Sequence, residues 1–280
     1  MQTLIAIALF VLVFLIYNFV NAAAGIAALV AVLAVFTWLK WPTILMLRGN
    51  SRYNKGDHAG GLALMEQAYK TGKLDSSMVV YYSYCLVREN QDGRATELLD
   101  EFIASGKGTK ADICRAKHNK ALILRNAGKT EEAFEVMKEV HADMPASDTF
   151  GTLGLIYLEL ADKKPELAGE IESFLNEAYE YNSDDRTIAC NLGDWNLRTG
   201  KLDEAEEIYK GIVNHRQNSP TPYYSYARVL MEKGNYEDAE DMLNHALRYP
   251  FTGVTAIKRE DVEAALKTVE GKLAANKTED

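Results

Sequence analysis

Between Met1 and Leu39 the chain has no Asp, Glu, Lys or Arg, and its apolar residues fall into two runs, Met1–Tyr17 and Ala22–Leu39. At 1.5 Å per residue these runs predict helices of roughly 26 and 27 Å, against a hydrocarbon core of about 30 Å. Local thinning covers the difference. Tyr17, Asn18 and Asn21 mark a polar turn between the runs, and Trp38 and Trp41 mark the opposite interface. Ala24, Ala27, Ala28 and Ala31 are small enough to let two helices approach closely in lipid. The reading is a transmembrane helical hairpin over residues 1–41. A secretory signal ending near Ala22-Ala23-Ala24 would need a positively charged start, and Met1-Gln2-Thr3 offers only the α-amine. The cations that follow are Lys40, Arg48, Arg52 and Lys55, so the positive-inside bias places both ends of the hairpin in the cytoplasm.

Beyond residue 41 the pattern turns amphipathic and repeats itself. Gly200-Lys201-Leu202-Asp203-Glu204-Ala205 returns as Gly234-Asn235-Tyr236-Glu237-Asp238-Ala239, a shift of 34 residues. The same shift carries Gly193 to Ala227, Tyr209 to Leu243 and Ile212 to Ala246. Upstream the turn stands as Gly128-Lys129-Thr130-Glu131-Glu132-Ala133. Glycine suits the end of one helix, and the acids suit the positive start of the next. Ala133, Gly154, Gly193 and Ala205 predict close helix crossings, with Tyr157, Leu175, Tyr209 and Leu243 filling the space between pairs. One such pair cannot bury its apolar stripe alone, so pairs must stack.

This unit resembles the tetratricopeptide repeat family, whose repeats are helix-turn-helix pairs of about 34 residues. Phe150, Leu153, Gly154 and Tyr157 fall at the family's first four signature positions. Leu175 and Ala178 continue that unit after an insertion around Asp162-Lys163-Lys164-Pro165. Val79, Tyr82, Leu86, Ala95 and Leu99 keep the register near Ser76. A unit near Pro42 keeps Gly56, Met65 and Ala68, with Arg48 and Gly61 fitting poorly. The resemblance implies an all-α solenoid, a right-handed superhelix of helix pairs. About six units would fill residues 42–257, starting near 42, 76, 114, 147, 186 and 220. Val262, Ala265, Leu266, Val269 and Leu273 share one face of a last helix over 258–273, expected to cap the stack, and 274–280 is read as a flexible tail.

Composition narrows the function. Forty acidic residues against 31 basic ones give a net charge of −9, which opposes general binding to nucleic-acid phosphates. Cys85, Cys114 and Cys190 are too few and too scattered for a disulfide framework or a paired metal motif. His58, His118, His141, His215 and His245 show no zinc-protease spacing. Gly106-Lys107-Gly108-Thr109 lacks the spacer of a phosphate loop and reads as an inter-repeat connection. No catalytic constellation, metal site or cofactor is expected, and the repeats leave no room for a catalytic domain.

What remains is a binding surface. The resemblance implies that the first helix of each unit lines a concave face. Carried onto this chain, the ligand positions include Tyr84, Arg88, Arg115, His118, Asn119 and Arg125, then Leu155, Asn191, Asp194, Arg198, Tyr224 and Arg228. Arg88, Arg115 and Arg125 suit an acidic or C-terminal carboxylate segment. The competing account makes them the solvated side of amphipathic helices. Family members that clamp a chaperone tail need Asn where this chain has Leu122. The expected function is a non-enzymatic scaffold integral to the cell (inner) membrane, its repeats facing the cytoplasm. Its partner would be a protein or peptide segment of acidic character, with no nucleic acid. Two alternatives stand beside it: an extracytoplasmic assembly factor or chaperone for envelope and secreted proteins, and a self-assembling homo-oligomeric scaffold.

Overall fold

The computed structural model describes residues 2–215, 219–253, 255 and 257–279, and among these it has fourteen α-helices and no strand. The chain divides into two compact units, Met1–Tyr82 and Ser83–Asp280.

The first unit opens with α1 (Gln2–Phe19) and α2 (Ala22–Asn54), followed by α3 (His58–Lys70) and the start of α4 (Ser76–Arg88). Asn21 caps α2 by accepting the Ala24 amide at 2.7 Å, and Asn18 bonds back to the Phe14 carbonyl at 2.8 Å. α1 and α2 approach closely at Gly25, where an added Cβ would stand 2.4 Å from the Tyr17 Cβ. Ala24 and Ala28 lie half-buried beside it, whereas Ala27 and Ala31 face outward. Phe14, Phe19, Val30, Phe36 and Trp38 are exposed. An 18-residue window of α2 has a mean hydropathy of 2.3 with 6% of it buried, and the helix is long and apolar enough to cross a membrane.

That helix does not stop where its apolar run ends. It continues through Pro42 to Asn54, 33 residues in all, and its last turns pack on α3. Pro42 denies the Trp38 carbonyl its usual partner, a local weakening of the helix. Leu45, Met46, Gly49 and Tyr53 are buried on this side, with Gly61, Leu62 and Met65 on α3. Gly61, a poor fit to the repeat pattern, has its reason here. An added Cβ would stand 2.8 Å from the Tyr53 Cβ and 2.9 Å from the Gly49 carbonyl oxygen, so only glycine permits this crossing. Tyr81 and Tyr82 donate to Asn50 and Glu66 at 2.7 and 2.6 Å. The Lys73 ammonium lies 4.4 Å from the centre of the Trp38 ring.

In the second unit α4 leads into α5 (Asp92–Ala104). Pairs follow as α6 (Lys110–Asn126) with α7 (Thr130–Asp143), and α8 (Ser147–Leu160) with α9 (Ala168–Tyr181). Next come α10 (Arg186–Arg198) with α11 (Leu202–Val213), then α12 (Thr221–Glu232) with α13 (Tyr236–Ala246), and last α14 (Arg259–Glu279). The turns within pairs share one geometry. Gly128, Gly200 and Gly234 take φ of 76°, 78° and 77°, and the next amide in each case reaches back five residues, as from Lys129 to the Leu124 carbonyl at 2.9 Å. Asn90, φ 56°, does the same between α4 and α5, as asparagine can. The α8–α9 turn lacks this geometry because its insertion folds into a 3₁₀ turn, Pro165–Leu167. Thr109 and Asp112 close a reciprocal capping box at the start of α6, which explains the Gly106–Thr109 connection.

Ala95, Ala133, Ala205 and Ala239 are fully buried at equivalent places in the second helices. Gly193 allows the Tyr209 ring to lie across α10, and Gly154 allows Asn191 to approach α8. Val262 and Val269 of α14 are fully buried in the cluster built from α10 to α13, with Ala265, Leu266 and Leu273 half-buried beside them. α14 runs on through residues 274–279, while Met1 and Asp280 lie outside the described residues.

Candidate partner-binding groove

From α6 to α8 and from α10 to α12 a spacing of 34 residues places first-helix positions beside their counterparts in the next unit. The structure uses that proximity for bonds between helices. Arg125 Nε donates to Glu159 Oε1 at 2.6 Å, and Arg228 Nη1 donates to Asp194 Oδ1 at 3.3 Å, both across 34 residues. His118 Nε2 stands 2.8 Å from Thr152 Oγ1, again 34 residues on. Asn119 donates to Ser83 Oγ at 2.8 Å, Asn191 to the Gly151 carbonyl at 2.8 Å, and Arg198 to Asp162 at 2.5 Å.

Three of the arginines expected at the concave face, Arg125, Arg198 and Arg228, therefore already carry a carboxylate of this chain. The Arg125 side chain is only 8% exposed. His118 and Asn119 are buried. Burial pushes His118 below the ordinary imidazole range, against the pull of the Asp148 carboxylate 3.9 Å away. Burial raises Asp194, while Arg228 and the hydroxyls of Tyr209 and Ser225 draw it down. Arg115 is exposed, 3.8 Å from Asp112 on its own helix. Tyr224 is half-buried with its ring 6.0 Å from the Arg228 guanidinium, and burial raises its phenol.

Open space remains between these helices. Tyr84 and Arg88 of α4, Leu155 of α8, and Asn191 and Asp194 of α10 line a cavity of about 590 Å³ together with Asp184, Asp185 and Arg186. Asp194, Arg198 and Arg228 also border a smaller one of about 350 Å³. Arg125 and Asn126 border a third of about 530 Å³. The groove thus mixes both signs of charge. Among the described residues no group of three or more His, Cys, Asp or Glu could hold a metal ion, and Cys85, Cys114 and Cys190 are buried.

Sequence reasoning missed two parts of this surface. The partner carboxylates were legible as opposite charges one period apart, Arg125 with Glu159 and Asp194 with Arg228. The second part is the connection from α13 to α14, whose Thr252 and Thr255 border the largest of these three cavities and whose Gly253 touches α4 and α6. Nothing periodic marks that segment.

Comparison with known proteins agrees with this architecture. The tetratricopeptide repeat family model matches residues 197–250. No curated protein matches the chain by sequence. A tetratricopeptide repeat protein from Parabacteroides merdae is 13% identical with a TM-score of 0.50, over 82% of this chain and 98% of that one. PilF of Pseudomonas aeruginosa is 14% identical with a TM-score of 0.54, over 74% and 90%. IFIT1, solved as a monomeric mutant with m7Gppp-AAAA, is 15% identical with a TM-score of 0.66, over 91% of this chain and 60% of that one. At such identities the likeness is one of fold.

Proposed function

Taking the chain as a tetratricopeptide repeat protein, we propose that it is a membrane-anchored scaffold whose repeats collect a protein partner at the cytoplasmic face. The observation that carries this reading is α2. One helix holds the exposed apolar window and, without a break, the buried face that pairs with α3. An anchor continuous with a helix pair holds the repeats close to the bilayer, where membrane partners are met at raised effective concentration. Lys40, Arg48, Arg52 and Lys55 lie at the end of the apolar stretch and favour the cytoplasmic side.

The groove around Tyr84 and Arg88 is the contact surface in this reading, with Arg115 and Tyr224 as flanking contacts. Arg125, Arg198 and Arg228 act mainly as bridges between repeats, because their carboxylates come from the neighbouring first helix or, for Asp162, from the turn that follows it. A capped RNA, the ligand named with IFIT1, suits this chain poorly: the net charge is −9, and Asp184, Asp185 and Asp194 border the cavity.

The test is crosslinked capture of the full-length chain from native membranes, run beside Arg88→Glu and Tyr84→Ala. A defined protein that is recovered with the native chain and lost with either variant supports the reading. Recovery of the chain alone would instead favour self-assembly. A reporter fused after Asp280 must be active on the cytoplasmic side, and activity on the far side would favour an extracytoplasmic assembly factor.

A further inference from the structure

The segment joining α13 to α14 leaves the repeat pattern and returns to the first helices of the same unit. The Gly253 amide donates to the Arg88 carbonyl at 3.0 Å, and the Gly253 carbonyl accepts from Asn126 Nδ2 at 2.9 Å, a bond spanning 127 residues. Arg88 and Asn126 hold equivalent places, each two residues before the turn residue that ends its helix. One glycine is therefore gripped on both edges by the C-terminal ends of two first helices. It is a tight fit: Gly253 is buried, and an added Cβ would stand 2.1 Å from the Val87 carbonyl oxygen. The flanks are ordered by their own contacts. Thr255 donates its amide to the Thr252 carbonyl at 2.9 Å, and the Arg259 guanidinium lies 5.0 Å from the centre of the Phe251 ring.

We propose that this groove is a binding site for a tight main-chain turn and that the turn centred on Thr252, Gly253 and Thr255 of the same chain is its resident occupant, so that a partner enters by displacing it. Helix ends leave carbonyls without intrahelical partners, and the Arg88 carbonyl here takes a donor from outside its helix. Recognition at Gly253 runs through main-chain atoms and the Asn126 amide, so the required feature of an incoming segment is a small residue at that point. Thr252 and Thr255 border the same cavity as Tyr84 and Arg88, so the occupant covers part of the surface assigned above to the partner. The proposal rests on that reading of a partner-collecting scaffold, an adaptor, for its consequence, and on the Gly253 contacts for its geometry.

Hydrogen exchange on the detergent-solubilised full-length chain tests the occupant directly. The amides of Thr252, Gly253 and Thr255 are expected to be protected in the native chain, those of Thr252 and Thr255 to exchange at least about tenfold faster in Gly253→Val, with the amides of α4 and α6 still protected. Asn126→Ala, which removes one donor and adds no bulk, is expected to give a smaller increase at the same residues. A labelled synthetic copy of residues 248–259 then probes the vacated groove. It is expected to bind Gly253→Val at least about tenfold more tightly than the native chain, whose own segment competes at high effective concentration. Fast exchange of the Thr252, Gly253 and Thr255 amides in the native chain, or equal affinity of the peptide for both proteins, including none for either, would overturn the proposal. Equal capture of a partner by the native chain and Gly253→Val would overturn displacement while leaving the adaptor intact. Failure to capture any partner, with the exchange result as expected, would remove the adaptor and leave the occupant.

Discussion

Arg125 and Glu159 stand 34 residues apart and meet with Nε to Oε1 at 2.6 Å, so a residue expected to grip a partner's carboxylate grips one from the next repeat. Removing one member leaves the other desolvated. Glu159→Gln is expected to destabilise the solenoid by about 1.5–3 kcal/mol, the range for hydrogen bonds to charged groups. Denaturant midpoints check this. The double replacement Arg125→Met with Glu159→Leu should recover most of the loss, because no charge is then left buried. If Glu159→Gln has no effect, the pair is a surface accident and Arg125 returns to the list of partner contacts.

Gly193 and Ala227 are equivalent by sequence, yet their surroundings differ. A Cβ at Gly193 would stand 2.8 Å from two carbons of the Tyr209 ring, which is itself fully buried. Gly193→Ala is therefore expected to cost about 1–3 kcal/mol by overpacking, outweighing its gain in helix propensity. Ala227→Gly should cost about 1 kcal/mol through propensity alone, plus the contact of one methyl group. Thermal unfolding of the two variants decides the matter. A stabilised Gly193→Ala would mean that the ring moves aside freely.

The repeat register was legible because it rests on period and on turn chemistry. The positive-φ turns at Gly200 and Gly234 and the buried Ala205 and Ala239 stand one 34-residue shift apart, and Gly128 with the buried Ala133 repeats the same five-residue spacing from turn to alanine. The apolar hairpin was legible from the missing charges, although the close approach falls at Gly25 rather than at the run of alanines. Pairwise chemistry was harder to see. Whether Arg125 faces solvent or Glu159 depends on the neighbouring unit, and a reading one helix at a time cannot supply that. The crossing at Gly61 and the grip on Gly253 were invisible for a related reason. Each depends on backbone atoms brought close by tertiary packing, and neither leaves a periodic trace.

Two histidines, His118 buried and His141 half-buried, set an acid limit on stability. Burial lowers His118 from 6.5, and it also lowers His141, whose ring packs edge-on to Phe150 at 4.3 Å and Phe174 at 5.5 Å. Below pH 6.5 the unfolded chain takes up protons that these folded sites refuse, so stability must fall as pH drops. The slope is at most about 1.4 kcal/mol per pH unit for each histidine. Asp112, held low chiefly by the Thr109 amide, contributes its own loss only at more acid pH, near and below 3.8. Urea midpoints at about pH 7.5 and 5.5 should therefore differ in the native chain and draw together in a His118→Gln, His141→Gln double variant. An unchanged difference would assign the acid sensitivity to other groups.

The continuity of α2 makes the site of truncation decisive. At 1.5 Å per residue its 33 residues reach about 50 Å, against a hydrocarbon core of about 30 Å, so the end that pairs with α3 stands in water if the apolar end spans the bilayer. Cutting before Pro42 removes the exposed apolar window and leaves a helix that begins with proline, which suits a first helical position. Leu45, Met46, Gly49 and Tyr53 remain to cover α3. Residues 42–280 are thus expected in the soluble fraction with near-native helicity per residue, while the full chain stays in membranes through a carbonate wash. Cutting at residue 51 instead removes Leu45 and Met46, which are 6% and 3% exposed, and uncovers Leu62 and Met65. That shorter chain should aggregate or lose the α3 signal in hydrogen exchange. Release of the full chain by carbonate would sink the anchor, and a well-folded 51–280 would show that α2 and α3 form no cooperative pair.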